Sequence, residues 1–270
     1  MVTNMVITGC STGIGQETAL YLKERMIKVY PTARKEEDVA KLKELGFENA
    51  FILDVTKPET ITNVINRVLE LDGKIDIWFN NAGYGQMGAV EDIPTAVLKE
   101  QFETNLFGLH EATIQILKVF RKQGYGKLIQ HSSVLGIIAL PFRGAYNASK
   151  YAVEGLTDTL RLELKNTEIY PILLNTGPVE SNFRKTAIAT LDKLDINNSL
   201  FKQKYIDSKN GKAKKVPFSL SAEAVASVVH KIILTPKPQP RYYITKATYI
   251  LGFAKRVLST SLLDKLLLKV

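Results

Sequence analysis

Tyr146 and Lys150 stand four residues apart in "GAYNASKYAVEG", a stretch of small and apolar residues. On a helix that spacing puts both side chains on one face, one turn apart. A phenol, with a reference pKa of about 10, is a poor proton carrier at neutral pH unless its anion is stabilised. A neighbouring ammonium favours the charged form, so Lys150 is expected to lower the pKa of Tyr146. The tuned phenol can give a proton to a carbonyl oxygen or take one from an alcohol. Ser133, in "IQHSSVLG", can hold that same oxygen by a hydrogen bond. Packing alone would explain an isolated Tyr-x-x-x-Lys, so the chemical reading depends on what surrounds the pair.

The surroundings supply a nucleotide site. "MVITGCSTGIGQETALYL" places Gly9, Ser11, Thr12, Gly13, Ile14 and Gly15 between a first apolar strand and a first helix. Glycines let the backbone approach a pyrophosphate, and the free N–H groups of the helix N-terminus stabilise its charge. The spacing T-G-x-x-x-G-x-G departs from the common G-x-G-x-x-G fingerprint. Where an acid would hold a free adenosine ribose, at the end of the second strand, stand Ala33, Arg34 and Lys35. Two cations suit a ribose carrying a 2′-phosphate, so NADP(H) is the expected cofactor. "LDVT", with Asp54 and Val55, and "NNAGYG", with Asn81, Ala82 and Gly83, fall at further strand ends facing the same crevice.

The elements that must position these residues alternate along the chain. Strands are read at "NMVIT", "IKVYPTA", "NAFILDV", "IDIWFNNAG", "KLIQHSS" and "EIYPILLNTG". Helices are read at "IGQETALYLKER", "EEDVAKLKELG", "PETITNVINRVLELDG", over 95–122 and from "AYNASK". Short, nearly continuous apolar strands between amphipathic helices define a doubly wound α/β protein with a parallel sheet, the Rossmann fold. Residues 219–235 read as a helix with Ser221 as N-cap, and "KPQPRYYIT" as an extended edge element. The whole chain, 1–270, reads as one domain. Residues 184–218, rich in Lys, Asn and Asp with little apolar periodicity, read as a mobile excursion that serves as a substrate lid.

Composition sets the outer limits. A chain of 270 residues with 45% apolar content buries a sizeable core. One cysteine, Cys10, excludes an internal disulfide and agrees with a reducing compartment. The N-terminus has no basic lead-in or apolar run of the kind that marks a signal peptide, so a cytoplasmic location is expected. Residues 1–200 carry 22 Lys+Arg and 24 Asp+Glu, whereas 201–270 carry 14 and 3. The basic C-terminal extension, 246–270, is amphipathic: Tyr249, Ile250, Phe253, Val257, Leu258, Leu262, Leu266 and Leu267 can form an apolar stripe. Packing over the substrate site, packing against a second subunit and peripheral membrane contact all remain open for it. No nucleic-acid module accompanies the charge, so nucleic acid is not an expected partner.

The motifs "TGCSTGIG", "NNAG", the serine and "YNASK", in that order, resemble those of the short-chain dehydrogenases/reductases, with similarity over roughly residues 3–182. The resemblance implies that Tyr146 is the catalytic acid/base and that Ser133 orients the substrate oxygen. Ser133 is preferred to Ser132 because it lies thirteen positions before the tyrosine, the family's usual separation. Lys150 would also bind the nicotinamide ribose, Asn105 in "QFETNLFG" would hold a water in the proton relay, and Asn81 would contact the adenosine side. Gly177, Pro178 and Val179 correspond to the turn at the nicotinamide end, with Thr176 where the family usually has proline.

Details such as "GPVESNF" look most similar to the branch holding 17-beta-hydroxysteroid and retinol dehydrogenases and bacterial aldehyde reductases. The implied activity is hydride transfer between NADP(H) and an apolar carbonyl/alcohol pair, with no metal, in a homo-oligomer. Leu140, Pro141, Phe142, Val179 and Phe183 are expected around the substrate. A non-catalytic NADP(H)-binding regulator, docking through its basic tail, is the rival reading.

Overall fold

The computed structural model of the chain describes residues 3–211 and 218–269. Residues 212–217 of the expected lid, and both extreme ends of the expected domain, lie outside the described residues. Seven strands form one parallel sheet among the described residues: β1 (Asn4–Ile7), β2 (Lys28–Ala33), β3 (Phe51–Ile52), β4 (Ile77–Asn80), β5 (Tyr125–Ser133), β6 (Glu168–Thr176) and β7 (Arg241–Tyr243). Their spatial order is β3-β2-β1-β4-β5-β6-β7. The order reverses at β1, so the crevice beyond the carboxyl ends of β1 and β4 is the switch point where such sheets bind ligands.

Parallel neighbours require crossovers. The helices α1 (Gly13–Lys23), α2 (Glu36–Glu44), α3 (Pro58–Asp72), α4 (Thr95–Phe102), α5 (Leu109–Gln123) and α6 (Gly144–Glu163) supply them. Then α7 (Phe183–Ala189), α8 (Lys202–Lys209) and α9 (Ala222–Leu234) separate β6 from β7, and α10 (Lys246–Val257) and α11 (Thr260–Leu267) follow it. Local sequence sets several ends. Pro58 opens α3, and Gly73 closes it in the left-handed region at φ 70°. Ser221 caps α9 by accepting from the Ala224 N–H, as the sequence predicts.

Strand alternation divides the core between two helix layers. Met5, Ile7, Ile77 and Phe79 pack with α1, α2 and α9, while Val6, Tyr30 and Trp78 pack with α3 and α5 on the opposite face. Burying each such side chain contributes about 1.5–3 kcal/mol. The result is a rigid platform whose strand ends carry the chemistry.

Several expectations need correction. The third strand, read over seven residues, shrinks to Phe51–Ile52, and Ile52 is exposed, as befits a short outer strand. The single helix read over 95–122 is interrupted by a π turn over Glu103–Gly108. At the end of this turn Gly108 packs close to the chain at Val55, where an added Cβ would lie 2.7 Å from the carbonyl oxygen. The excursion at 184–218 is helical over α7 and α8. Its Leu191, Leu194 and Tyr205 are buried with Met87, and Ile93, Phe142 and Phe201 pack around them. Tyr205 Oη donates to Asp92 at 2.5 Å and accepts from the Ala89 N–H at 2.8 Å. Helical periodicity was invisible there because several short elements each contribute one or two residues to this cluster.

The tail's apolar stripe divides in two. Leu258 and Leu266 turn inward with Leu251, Ala254, Leu263 and Leu267, joining Val134, Leu135, Ile138 and Tyr146 in one cluster. Tyr249, Ile250, Phe253, Val257 and Leu262 stay exposed. Among the described residues no helix is long and apolar enough to cross a membrane.

Candidate active site

The glycine loop has the geometry that a dinucleotide requires. Gly9 and Gly13 adopt φ of 72° and 63°, which side chains disfavour. A Cβ on Gly15 would run into the Gly9 carbonyl and the Asn81 side chain, so the loop and α1 close tightly together. Thr12 occupies the N-cap of α1 without bonding it, and no acid lies in the first turn. Those N–H groups are left for an anion, and the residues present fit a pyrophosphate. Ser11 and Thr12 face solvent at the loop, whereas Ile14 packs into the core below.

The ribose end is less symmetric than the sequence suggested. Lys35 pairs with Glu37 at 3.2 Å, and both side chains are largely exposed. Arg34 is exposed and makes no ion pair among the described residues, leaving it available to a phosphate. Asp54 accepts from the Thr56 N–H and hydroxyl at 3.0 and 2.8 Å, and Val55 is buried beside it.

Asn81 is committed within the protein. Its amide donates to the carbonyls of Thr8 and Gly9, both at 2.9 Å, and its Oδ1 lies 3.0 Å from His131 Nδ1. Ala82 N–H donates to Thr8 Oγ1 at 3.0 Å. Asn81 therefore positions the glycine loop, and its amide has no further hydrogen for the adenosine side. The neighbouring Asn80 points into the core, bonding Gln130 and Thr113. Asn105, on the π turn, bonds Tyr84 through both main-chain atoms and reaches Ser149 Oγ at 3.2 Å. Gly83 leaves room for it, since an added Cβ would lie 3.1 Å from Asn105 Oδ1. π bulges recur at functional positions.

The two serines at the end of β5 meet different residues of α6. Ser132 donates to Glu154, two turns beyond Tyr146. Ser133 hydrogen-bonds the Tyr146 phenol and accepts from the Leu135 N–H at 3.1 Å. The position of Ser133 beside the phenol, with Ser132 committed to Glu154, selects Ser133, in agreement with its spacing from Tyr146. The Phe183 ring sits 5.4 Å from that of Tyr146. Gly85 makes room for Phe183, because a Cβ there would lie 2.9 Å from Cζ.

The electrostatics depart from the sequence argument. Burial pushes the Tyr146 phenol up to about 12, with the Ser133 bond pulling in the other direction. The Lys150 Nζ lies 5.7 Å from the ring centroid and donates to the His131 carbonyl at 2.6 Å. The expected lowering by Lys150 is not seen: desolvation dominates, and Ser133 supplies the opposing pull. Burial also brings Lys150 down to about 8, opposed by the Glu154 carboxylate. At neutral pH the pair is a protonated phenol beside a charged ammonium, ready to donate a proton.

His131 and Glu154 are participants that the sequence reading missed. His131 is half-buried between Asn81 and Thr176, whose Oγ1 lies 3.2 Å from Nε2, and desolvation of the ring pulls its pKa down to about 3. Thr176, at the position the family usually gives to proline, thus has a bonding role. Glu154 continues the 146, 150 spacing by one more turn, a signal available in the sequence. It binds Ser132, Asn175 and Arg241, locking α6 to β5, β6 and β7. Gly177 lets this corner close, since a Cβ would collide with Thr245. Pro178 accepts from the Leu220 N–H at 3.1 Å, and Val179 packs on the core. Of the residues expected around the substrate, Phe183 packs on Tyr146 and Leu140 joins its cluster, while Phe142 packs with Phe201 and Tyr205, and Pro141 is exposed.

A parallel sheet with a glycine loop at its switch point and a serine–tyrosine–lysine group at its strand ends defines a nucleotide-dependent oxidoreductase. The profile of the family described as short chain dehydrogenase matches residues 3–192, and the chain belongs to that family. It is 35% identical over 268 residues to an uncharacterized oxidoreductase, YbbO, of Escherichia coli K12, covering 99% of this chain and 94% of that one. It is 30% identical to the 3-ketodihydrosphingosine reductase of Bacteroides thetaiotaomicron, over 93% and 90% of the two chains. A short-chain dehydrogenase of Streptomyces avermitilis superposes with a TM-score of 0.78 at 25% identity, covering 94% and 92%. Other structures of this fold hold different nucleotides. One from Thermococcus sibiricus carries 5-hydroxy-NADP (TM-score 0.72, 22% identity, 92% and 98% covered), and one from Burkholderia phymatum carries NAD (0.77, 23%, 95% and 92%). The chain is a short-chain oxidoreductase acting at CH–OH and carbonyl centres.

Proposed function

We propose that the protein is an NADP(H)-dependent reductase of an apolar aldehyde or ketone. The observation that carries this reading is the placement of Ser133 beside the Tyr146 phenol, with Lys150 Nζ 5.7 Å from the tyrosine ring, at the carboxyl ends of the strands that frame the crevice. When bound, the cofactor supplies or removes the hydride. Ser133 holds the substrate oxygen, and Tyr146 gives its proton to that same oxygen as negative charge develops. Lys150, anchored on the His131 carbonyl, offsets the phenolate left behind. A phenol held near 12 is protonated at neutral pH, the form in which it can give its proton to a carbonyl oxygen.

Arg34 supports NADP(H), because its uncommitted guanidinium suits the charge of a 2′-phosphate better than a ribose hydroxyl. Phe183, Leu140 and the helices at 183–211 support an apolar substrate beneath a lid. The related Bacteroides enzyme bears the name of a ketone reductase for a sphingosine-type molecule, which agrees with a lipophilic carbonyl. A regulator that merely binds nucleotide has no use for a buried serine–phenol pair. For a cytoplasmic homo-oligomer, the self-interface is best placed on α5 and α6, where Ile114, Leu156 and Leu162 are exposed among residues of both charges. NADPH and NADH consumption measured in parallel on a panel of aldehydes and ketones tests the reading. Wild-type turnover by Tyr146→Phe would refute it.

A further inference from the structure

Helix α10 presents Tyr249, Ile250, Phe253 and Val257 outward at exposures of 59%, 54%, 68% and 58%. At 3.6 residues per turn these four share about 100° of arc, with Lys246 inside that arc and Arg256 on its border. Its inner face, through Leu251 and Ala254, lies in the cluster that contains Tyr146. The helix carries Lys246, Lys255 and Arg256 and no Asp or Glu. Beside it opens a cavity of about 410 Å³ lined by Arg161, Arg241, Lys255 and Arg256, with Asp158 its one acid. Asp158 pairs with Arg161 and Arg241 at 2.9 and 3.0 Å. Lys255 and Arg256 make no ion pair among the described residues.

We propose that the outer face of α10 docks on an anionic lipid bilayer. The four apolar side chains enter the boundary between headgroups and acyl chains, and Lys246, within the arc, and Arg256, on its border, meet lipid phosphates, whereas Lys255 lies on the opposite side of the helix at the cavity. An apolar stripe with one cation inside it and another on its border is the pattern of a helix lying in that interface. Charge decides between a bilayer and a second copy of the chain. A two-fold interface sets a patch against itself, which would bring the cations of α10 together with no acid on the helix to answer them. An anionic surface answers the two that lie at the apolar arc, Lys246 and Arg256. The docking is independent of the cofactor and of the carbonyl chemistry, although it would set the catalytic tyrosine one helix thickness from the lipid.

Co-sedimentation of the full-length protein with phosphatidylcholine vesicles, with and without phosphatidylglycerol, tests this. Binding is expected to require phosphatidylglycerol and to weaken several-fold in half-molar salt. The double variant Ile250→Ser/Phe253→Ser should bind at least tenfold more weakly, and Lys246→Gln/Arg256→Gln should lose roughly fivefold per charge. NADPH turnover on a water-soluble aldehyde should stay at the wild-type rate in both variants, showing that the fold and the proposed reaction are intact. Turnover absent in every protein while vesicle binding follows this pattern would count against the reaction alone. Equal binding to both vesicle types, or full binding by Ile250→Ser/Phe253→Ser, overturns the proposal. So does light scattering that shows this double variant breaking an oligomer without any vesicle binding by the wild type. Inorganic phosphate bound at the cavity with no vesicle binding also overturns it and leaves a site for a soluble anion.

Discussion

The Lys150 ammonium donates to the main-chain oxygen of His131 at 2.6 Å, so the strand end that carries the serine also fixes the lysine beside the tyrosine. Burial lowers this ammonium to about 8, and the charge is therefore present below that pH and lost above it. The log of kcat/KM for carbonyl reduction should bend downward near pH 8. Lys150→Arg, which keeps its charge throughout, should remove the bend while lowering the plateau. A profile unchanged by that substitution would exclude Lys150 as its source.

Removing the phenolic oxygen leaves the ring, its packing on Phe183 and the cluster around it. Tyr146→Phe should lower kcat by about 10²–10⁴-fold, the range for a positioned proton donor. Nucleotide affinity, measured by fluorescence titration, should change little. Ser133→Ala should reduce turnover and also push the phenol further up, because it deletes the hydrogen bond that pulls the Tyr146 pKa down.

Much of this site is written in the sequence because its parts lie at strand ends, where alternation and glycine spacing are local signals. Gly9, Gly13, Gly15, Ser133, Tyr146 and Lys150 all fall where those signals place them. What escaped was set by long-range packing. The acidity of Tyr146 depends on how much water the surrounding cluster excludes, and spacing along a helix carries no information on that. Asn81 reads as a ligand contact until its amide is seen tied to the carbonyls of Thr8 and Gly9. The helices at 183–209 hide for a similar reason: Tyr205 meets Ala89 and Asp92 more than a hundred residues away.

The Arg34 argument gives a cofactor test. A charge-assisted hydrogen bond contributes about 1.5–3 kcal/mol. Arg34→Ala should thus raise the KM for NADPH by roughly 10–100-fold, since about 1.4 kcal/mol is tenfold, and leave that for NADH nearly unchanged. Equal effects on both nucleotides would remove the guanidinium from the ribose end.

His131 makes the corner sensitive to acid. Its pKa falls from 6.5 to about 3 on burial, so the neutral ring contributes stability that is fully present above pH 6.5 and is lost as the pH drops toward 3. Protonation would also place a second donor at Nδ1 or Nε2, where Asn81 Oδ1 can accept, and bring a cation close to Lys150. His131→Asn cannot acquire that charge. Its melting temperature should lie below wild type at pH 7.5, where it loses one of the two ring contacts, and the gap should narrow or reverse by pH 5. Scanning calorimetry at the two pH values reads the difference directly, and a gap independent of pH would mean that His131 does not titrate in this range in either state.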